Sequence, residues 1–430
     1  MDQTAGMRPF SLARRRWARL AVALLFFLNG VLLATWAARI PAVQARLALA
    51  PAILGSVLFS GAAGALAGMS GGGYLVARYG SRRIAILATL SLCVTLTLIA
   101  VAPSLPLLIA SVALLGASSG AMDVSMNTQG VAAERLYGQP ILNSFHACYS
   151  FGSLAGSLLG GLIAGYDIPL LPHFSGVALA SALLTLCCIA ALLPSSHDQP
   201  TGERAGEARR AIFARPSRAT LALGLIAFCS LFGEGAMADW SALYLNNNLH
   251  SGAGLAPIGY AIFSVTMMVS RSLGDALTAR LGAALMVRLG GLLAASGLAL
   301  VLLAPWLVLA LFGFALIGCG LSVTFPLTLS SAGRLAGQGQ ATSTALAAVA
   351  TCGYTGLMAG PPTIGFVASF VGLRLALGLI ILLSLCISLL AGAADNNGGP
   401  TKVNQHALAS TSSTQSPSTA TPHQQDSSAT

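Results

Sequence analysis

Apolar residues run along this chain in blocks, parted by short polar or proline-marked interruptions. A bilayer core about 30 Å thick needs roughly 20 apolar residues per crossing helix. The pattern predicts six such helices in the first half, over 20–40, 51–77, 84–101, 105–131, 141–165 and 172–194. It predicts six more in the second, over 219–246, 257–281, 283–303, 305–332, 341–369 and 371–393. Pro41, Pro51, Pro103, Pro172, Pro194 and Pro305 lie near block ends, where a residue without an N–H does least harm. Outside the blocks lie a basic stretch, 1–19, a polar linker, 195–218, and a Ser-, Thr- and Gln-rich tail, 394–430. The tail has too little apolar surface to form a core, so disorder is expected there.

The two halves echo each other. Leu75–Gly80 reads LVARYG and Leu277–Gly282 reads LTARLG, 202 positions later. Trp36 and Trp240, and Gly156 and Gly360, pair at similar offsets. Six blocks per half and these matches argue for a duplicated six-helix unit. Duplicated halves around a central site are a transporter architecture. The expected fold is therefore an all-α membrane protein of twelve transmembrane helices in two pseudo-symmetric six-helix bundles.

Composition agrees. Hydrophobic residues make up 55% of the 430 positions and charged residues only 8%, against about 25% in soluble domains. The net charge of +10 sits in short loops between apolar blocks, which fits a membrane and not nucleic acid. With the N-terminus in the cytoplasm, 18 of the 22 Lys and Arg fall on the inner side; Arg39, Arg46 and Arg374 fall on the outer side, and Arg271 within a helix. Cytoplasmic loops collect such cations, so both termini are placed inside. The first apolar run, from about Leu20 to Ile40, is long for a cleaved signal peptide and is read as an uncleaved helix. The eight cysteines lie in apolar blocks without a C-x-x-C pair, which argues against a disulfide framework or a zinc site.

Charges inside apolar blocks are the candidates for function, because each costs about 2.5–3.5 kcal/mol at the bilayer centre on insertion scales. The stretch GEGAMADWSALYL, Gly233–Leu245, carries Glu234 and Asp239. Five residues turn a helix by about 500°, so these acids point about 140° apart and form no carboxylate dyad. Glu234 is expected past mid-depth and Asp239 farther out. Asp123 and Asn127 share one helix face, as do Asn143 and His146, and the two faces are expected to meet near the inner side. A His beside an acid can hold or pass a proton; a plain helix–helix hydrogen bond is the alternative. Arg271 and Asp275, four apart, are expected to form an ion pair or a latch. Glycine stripes at Gly64, Gly68 and Gly72, and at Gly152, Gly156 and Gly160, read as close helix packing before any sliding role.

These features resemble the major facilitator superfamily of secondary transporters over nearly all of 15–393. The family loop motif, roughly G-x-L-x-D-R-x-G-R-R/K, is kept at Gly73, Leu75, Arg78, Gly80, Arg82 and Arg83, with Ala77 in place of its Asp. The second half keeps a variant at Arg271, Gly274, Asp275, Leu277, Arg280 and Gly282. AMDVSMNTQG, NSFHACYSFGSLAG and GEGAMADWSALYL resemble the bacterial MosC-like subgroup, related to inner-membrane permeases of sugar-like and inositol-derived compounds. An exporter motif of the fifth helix matches at Gly152, Gly156, Gly160 and Gly161 but has Ser157 where it needs Pro.

The resemblance implies alternating access, with the solute between the bundles and both loops as gates. The expectation is a proton-coupled bacterial inner-membrane transporter of a small, sugar-like or polyol-like solute. It needs no cofactor besides the proton gradient and no metal, and works as a monomer in the bilayer. Glu234 leads as the coupling or binding acid. Asp239 and Arg39 are expected to form an outer charge pair, and Trp36 and Trp240 to line the cavity or anchor at the interface. A drug or metabolite exporter and a non-transporting sensor are the alternatives. No nucleophile elbow, phosphate loop or metal-ligand cluster points to an enzyme.

Overall fold

The computed structural model describes residues 12–137, 141–197, 218–336 and 342–394. The first eleven residues, most of the 195–218 linker and the tail after 394 lie outside the described residues. Among the described residues there are helices and no strands. In lipid this follows from the backbone, since a helix satisfies its own N–H and C=O groups.

The first half runs α1 (Leu12–Ala38), the short α2 (Ile40–Arg46), α3 (Pro51–Tyr79), α4 (Ser81–Val101), α5 (Leu105–Tyr137), α6 (Leu142–Gly165) and α7 (Leu170–Cys188). The second runs α8 (Arg218–Asn248), α9 (Ile258–Leu281), α10 (Ala283–Leu303), α11 (Leu307–Leu321), α12 (Thr324–Ala336) and α13 (Thr342–Leu390). Among the described residues, ten segments are long and apolar enough to cross a membrane by length and composition. Two features bring the count to the expected twelve. α13 holds two crossings, parted at Gly372, whose φ of 79° is closed to ordinary helix geometry. α9 also has crossing length, but it carries Arg271, Asp275 and Arg280 and is not among the ten. Leu87, Leu179, Leu303 and Leu389 are 61–83% exposed on the outside of the bundle. Such an apolar coat suits lipid and not water.

We call the side where α1 begins and α13 ends the terminal face, and the opposite side the far face. α2, the α6–α7 turn and the α8–α9 loop lie at the far face. The expected repeat is visible in the backbone. Gly80 and Gly282 both end one helix and start the next, with φ/ψ of 87°/148° and 83°/154°. Each N–H returns to the carbonyl four residues earlier, Val76 and Thr278, at 2.8 and 2.9 Å. An L-residue is strained at such φ, which explains the shared glycine.

The glycine stripes pack helices within each half. A methyl on Gly64 or Gly68 of α3 would overlap the carbonyls of Ala113 or Ala117 on α5. Gly152 of α6 sits on the Phe27 carbonyl of α1, and Gly356 of α13 on the Phe228 carbonyl of α8. These are the same lock in the two halves, at offsets of 204 and 201 residues. Gln129 ties α5 to its surroundings: its Nε2 donates to Ser81 Oγ (2.6 Å) and Leu193 O (3.0 Å), and its Oε1 accepts from Leu193 N (3.0 Å). The Glu134 carboxylate accepts from the N–H groups of Ile141 and Leu142, both at 2.8 Å, and so caps the start of α6.

The halves meet along a seam of α3 against α13 and α6 against α9 and its preceding loop. At the far face this seam is backbone on backbone. A methyl on Gly55 would lie 2.7 Å from the Pro361 carbonyl, one on Gly365 2.5 Å from the Pro51 carbonyl, and one on Gly161 2.5 Å from the Gly254 carbonyl. The far face is shut. Toward the terminal face the seam parts.

Candidate functional site

The parting seam holds a cavity of about 490 Å³. α6 lines it with His146, Tyr149, Ser150 and Ser153; α9 with Tyr260, Phe263, Ser264, Met267, Met268, Arg271 and Ser272; α8 with Glu234; α12 with Pro326. Both halves contribute, and one acid stands among hydroxyls and aromatic rings.

Local sequence explains how Glu234 reaches it. Gly233 and Gly235 flank it, and methyls there would press on Leu321 and Leu357 (3.1 and 2.8 Å). Small neighbours let α8 pack against α11 and α13 while the one long side chain at 234 turns to the gap. Glu234 lies about 24 Å from the start of a helix about 46 Å long, so it sits near the middle of α8. Asp123 of α5, in the first half, is not part of the lining but interacts electrostatically with Tyr149, which is. Tyr149 and Tyr354 each lie within electrostatic reach of both Asp123 and Glu234. Tyr260 lies within reach of Glu234 and Asp239 and stacks on Phe263, centroids 6.1 Å apart. A phenol donates and accepts hydrogen bonds, so three tyrosines and two acids from five helices make a polar centre at mid-depth.

Arg271 marks the terminal-face rim, and its place follows from a proline. Pro326 has no N–H, so the Ser322 carbonyl one turn earlier loses its helical partner and the chain breaks into α11 and α12. Arg271 Nε donates to that carbonyl at 3.1 Å, and Nη2 approaches Met267 Sδ at 3.4 Å. Arg271 thus lines the cavity and repairs the helix break at once. The side chain of Asp275, the expected partner, lies outside the described residues. His146 is close enough to Arg271 for their charges to interact, and its ring meets Phe26 edge-on at 5.1 Å.

The other expected site residues divide. Asn127 Nδ2 donates to the Asp123 carboxylate (3.1 Å) and carbonyl (2.8 Å) within α5. The side chain of Asn143 lies outside the described residues, so the meeting of the two faces rests on Tyr149. Trp36 and Trp240 are 7% and 0% exposed and belong to the hydrophobic core, not to the cavity lining. Arg39 does not pair with Asp239: its Nη2 donates to the Ile168 carbonyl at 2.8 Å and its charge interacts with Asp167, because the turn after α1 points it at the α6–α7 corner. In the first gating loop, Arg78 Nη1 donates to the Tyr74 hydroxyl at 2.9 Å and lies over the Tyr79 ring. Arg83 is exposed, Arg82 half-buried, and Gly73 has nothing within 4 Å of a built methyl. Arg280 is exposed beside the Gly282 corner, and Gly274 sits against Val323. Tyr149, Tyr260 and Tyr354 were not foreseen; a tyrosine in an otherwise apolar helix was the available signal, since a buried hydroxyl seeks a partner.

The family model of the Major Facilitator Superfamily matches residues 20–354. The chain belongs to this superfamily. It is 36% identical over 370 residues to the membrane protein MosC of Rhizobium meliloti, covering 86% of this chain and 88% of that one. It is 33% identical over 368 residues to the uncharacterized transporter y4wD of Sinorhizobium fredii, covering 85% and 95%. An uncharacterized MFS-type transporter of Yersinia pestis is 31% identical over 376 residues, covering 86% and 94%. Among solved structures, the nucleoside transporter NupG has a TM-score of 0.70 at 13% identity, covering 88% of this chain and 98% of that one. A bacterial homologue of the human lysosomal transporter Spinster, inward-facing and occupied, gives 0.69 at 16% identity, covering 90% and 97%. At such identities the likeness is one of fold. This superfamily member is a multi-pass membrane protein of the transporter kind.

Proposed function

We propose that this protein moves a small polar, sugar-like or polyol-like solute by alternating access, coupled to protons, across a bacterial inner membrane with both termini in the cytoplasm. The observation that carries the reading is Glu234 in the cavity between the halves, with Tyr149 and Tyr354 each within electrostatic reach of both Glu234 and Asp123. A carboxyl that meets water in one state and apolar surroundings in the other changes the cost of its charged form, which couples proton release to the change of state. Hydroxyl-rich walls at Ser150, Ser153, Ser264 and the tyrosines suit a solute bearing hydroxyls. The distribution of 18 inner against three outer cations supports the orientation. In that orientation the shut far face is the outer one.

The test is a thermal-shift screen of the purified protein against sugars, polyols, inositols, amino sugars, organic acids and cationic drugs. A ligand at about 100 times its Kd stabilises by roughly 2.7 kcal/mol. A sugar or polyol is expected to register, and Glu234→Gln is expected to lose pH-driven accumulation of that solute. Full pH-driven accumulation in the mutant removes Glu234 from coupling; a response to cationic drugs alone points to the exporter.

A further inference from the structure

A second cavity, of about 440 Å³, lies at the far face, away from the transport site. Its walls include Arg39 of the α1–α2 corner, Arg46 at the end of α2, Asp167 and Leu171 of the α6–α7 corner, and Ala253 and Ala256 of the α8–α9 loop in the other half. Arg39 is only 5% exposed, and its Nε and Nη1 have no hydrogen-bond partner. A buried charge with free donors is expensive unless something compensates it. Asp167 opposes the charge in part, but burial is the larger influence and pushes the Arg39 guanidinium down from its ordinary value. Behind Arg39, His173 is 2% exposed with neither ring nitrogen partnered, and the Arg39 charge reaches it. Arg46 spends its donors on the carbonyls of Ile99, Ala100 and Ala102 at the end of α4, yet its charge remains at the rim. The wall at Leu170 and Leu171 is the first turn of α7, whose leading N–H groups lack helical acceptors. Two guanidiniums, one carboxylate and a helix start therefore line this corner.

We propose that this corner binds a small soluble oxyanion, a carboxylate or phosphate, and that its occupancy favours the state closed at the far face. The second part follows from Ala253 and Ala256: the pocket is complete only while the two halves touch here. The proposal is independent of the transported solute.

The probe is inorganic phosphate, titrated into the purified protein in detergent at ionic strength held constant with chloride. The melting temperature is expected to rise saturably. Asp167→Asn, which removes the competing carboxylate, should lower the apparent Kd severalfold. Arg39→Gln should abolish the saturable rise, and Ala253→Leu should do the same by filling the pocket from the other half without touching a charge. Amide exchange of peptides spanning 249–257 should slow with phosphate in the native protein. A rise unchanged by Ala253→Leu, no tightening in Asp167→Asn, or no saturation in the native chain overturns the site even where Arg39→Gln fails to fold. Repeating the titration in nanodiscs separates the sources. An effect that persists in phosphatidylcholine supports a soluble anion. Displacement of phosphate by phosphatidylglycerol assigns the corner to a lipid headgroup and overturns the soluble ligand.

Discussion

The first crossing of each half, α1 and α8, makes a useful pair. Both press a phenylalanine carbonyl, of Phe27 and Phe228, against a glycine on the fifth crossing, Gly152 and Gly356. Both carry a buried tryptophan farther along, Trp36 nine residues after Phe27 and Trp240 twelve after Phe228, the two tryptophans 204 positions apart. At that same offset of 204, Glu234 stands where α1 has Gly30. A methyl on Gly30 would lie 2.7 Å from Ser153 N and would overlap the Tyr149 carbonyl, so α1 is closed against α6 at this level. α8 at the matching level opens to the cavity. The scaffold is duplicated and the charge is not. Packing needs both copies of the lock, whereas a site on the pseudo-axis needs one acid per position.

The largest effect expected from this comparison is in transport. Glu234→Gln should reduce pH-driven accumulation more than tenfold while leaving the melting temperature close to native, because a half-buried side chain facing a cavity has little packing to lose. Asp239→Asn should reduce transport less than Glu234→Gln, since Asp239 is not among the residues that line the cavity. Equal losses in the two mutants, measured in the same vesicles, would break the distinction between the acids. The lock predicts the reverse profile. Gly152→Leu and Gly356→Leu should each destabilise by about 1–3 kcal/mol or prevent folding, as overpacking does, and by similar amounts. A large loss from one and none from the other in thermal melts would end the claim that the halves share it. Next comes Gln129→Leu, which removes the hydrogen bond to Ser81 Oγ and both bonds to the Leu193 backbone. About 1–3 kcal/mol is expected from such a loss, again read by melting. The smallest effect belongs to Glu134→Gln, which weakens the cap on α6 by about 0.3–1 kcal/mol.

Much of the fold was legible in the order of the residues. The twelve blocks foretold the crossings to within a few residues, except that α5 continues to Tyr137, α1 starts by Leu12, α7 ends at Cys188 and the tenth crossing breaks at Ser322–Val323. Periodic apolarity cannot show that break, but Pro326 marks it once the missing N–H is followed back one turn. The short α2 lay inside the tail of a predicted span and a loop, where seven residues carry too little periodicity to read. The site was legible only in part. Glu234, Asp123, His146 and Arg271 stood out because charge is rare in apolar helices. The three tyrosines did not, being half apolar themselves. Arg39 was assigned to Asp239 because both lie toward the same face, and linear distance from a helix end says nothing about direction around it.

By itself, the sequence determined how many times the chain crosses, where it turns, which positions repeat and which few polar groups must be accounted for inside the membrane. Those properties rest on local quantities: apolar length, glycine and proline at corners, charge in loops. The tertiary structure alone decided that Tyr149, Tyr354, Asp123 and Glu234 converge, that Arg271 serves an orphaned carbonyl, and that Arg39 looks to Asp167. One residue of slip in register rotates a side chain by about 100°, so the meeting of helices a hundred or more positions apart is set by how their surfaces pack and not by spacing along either one.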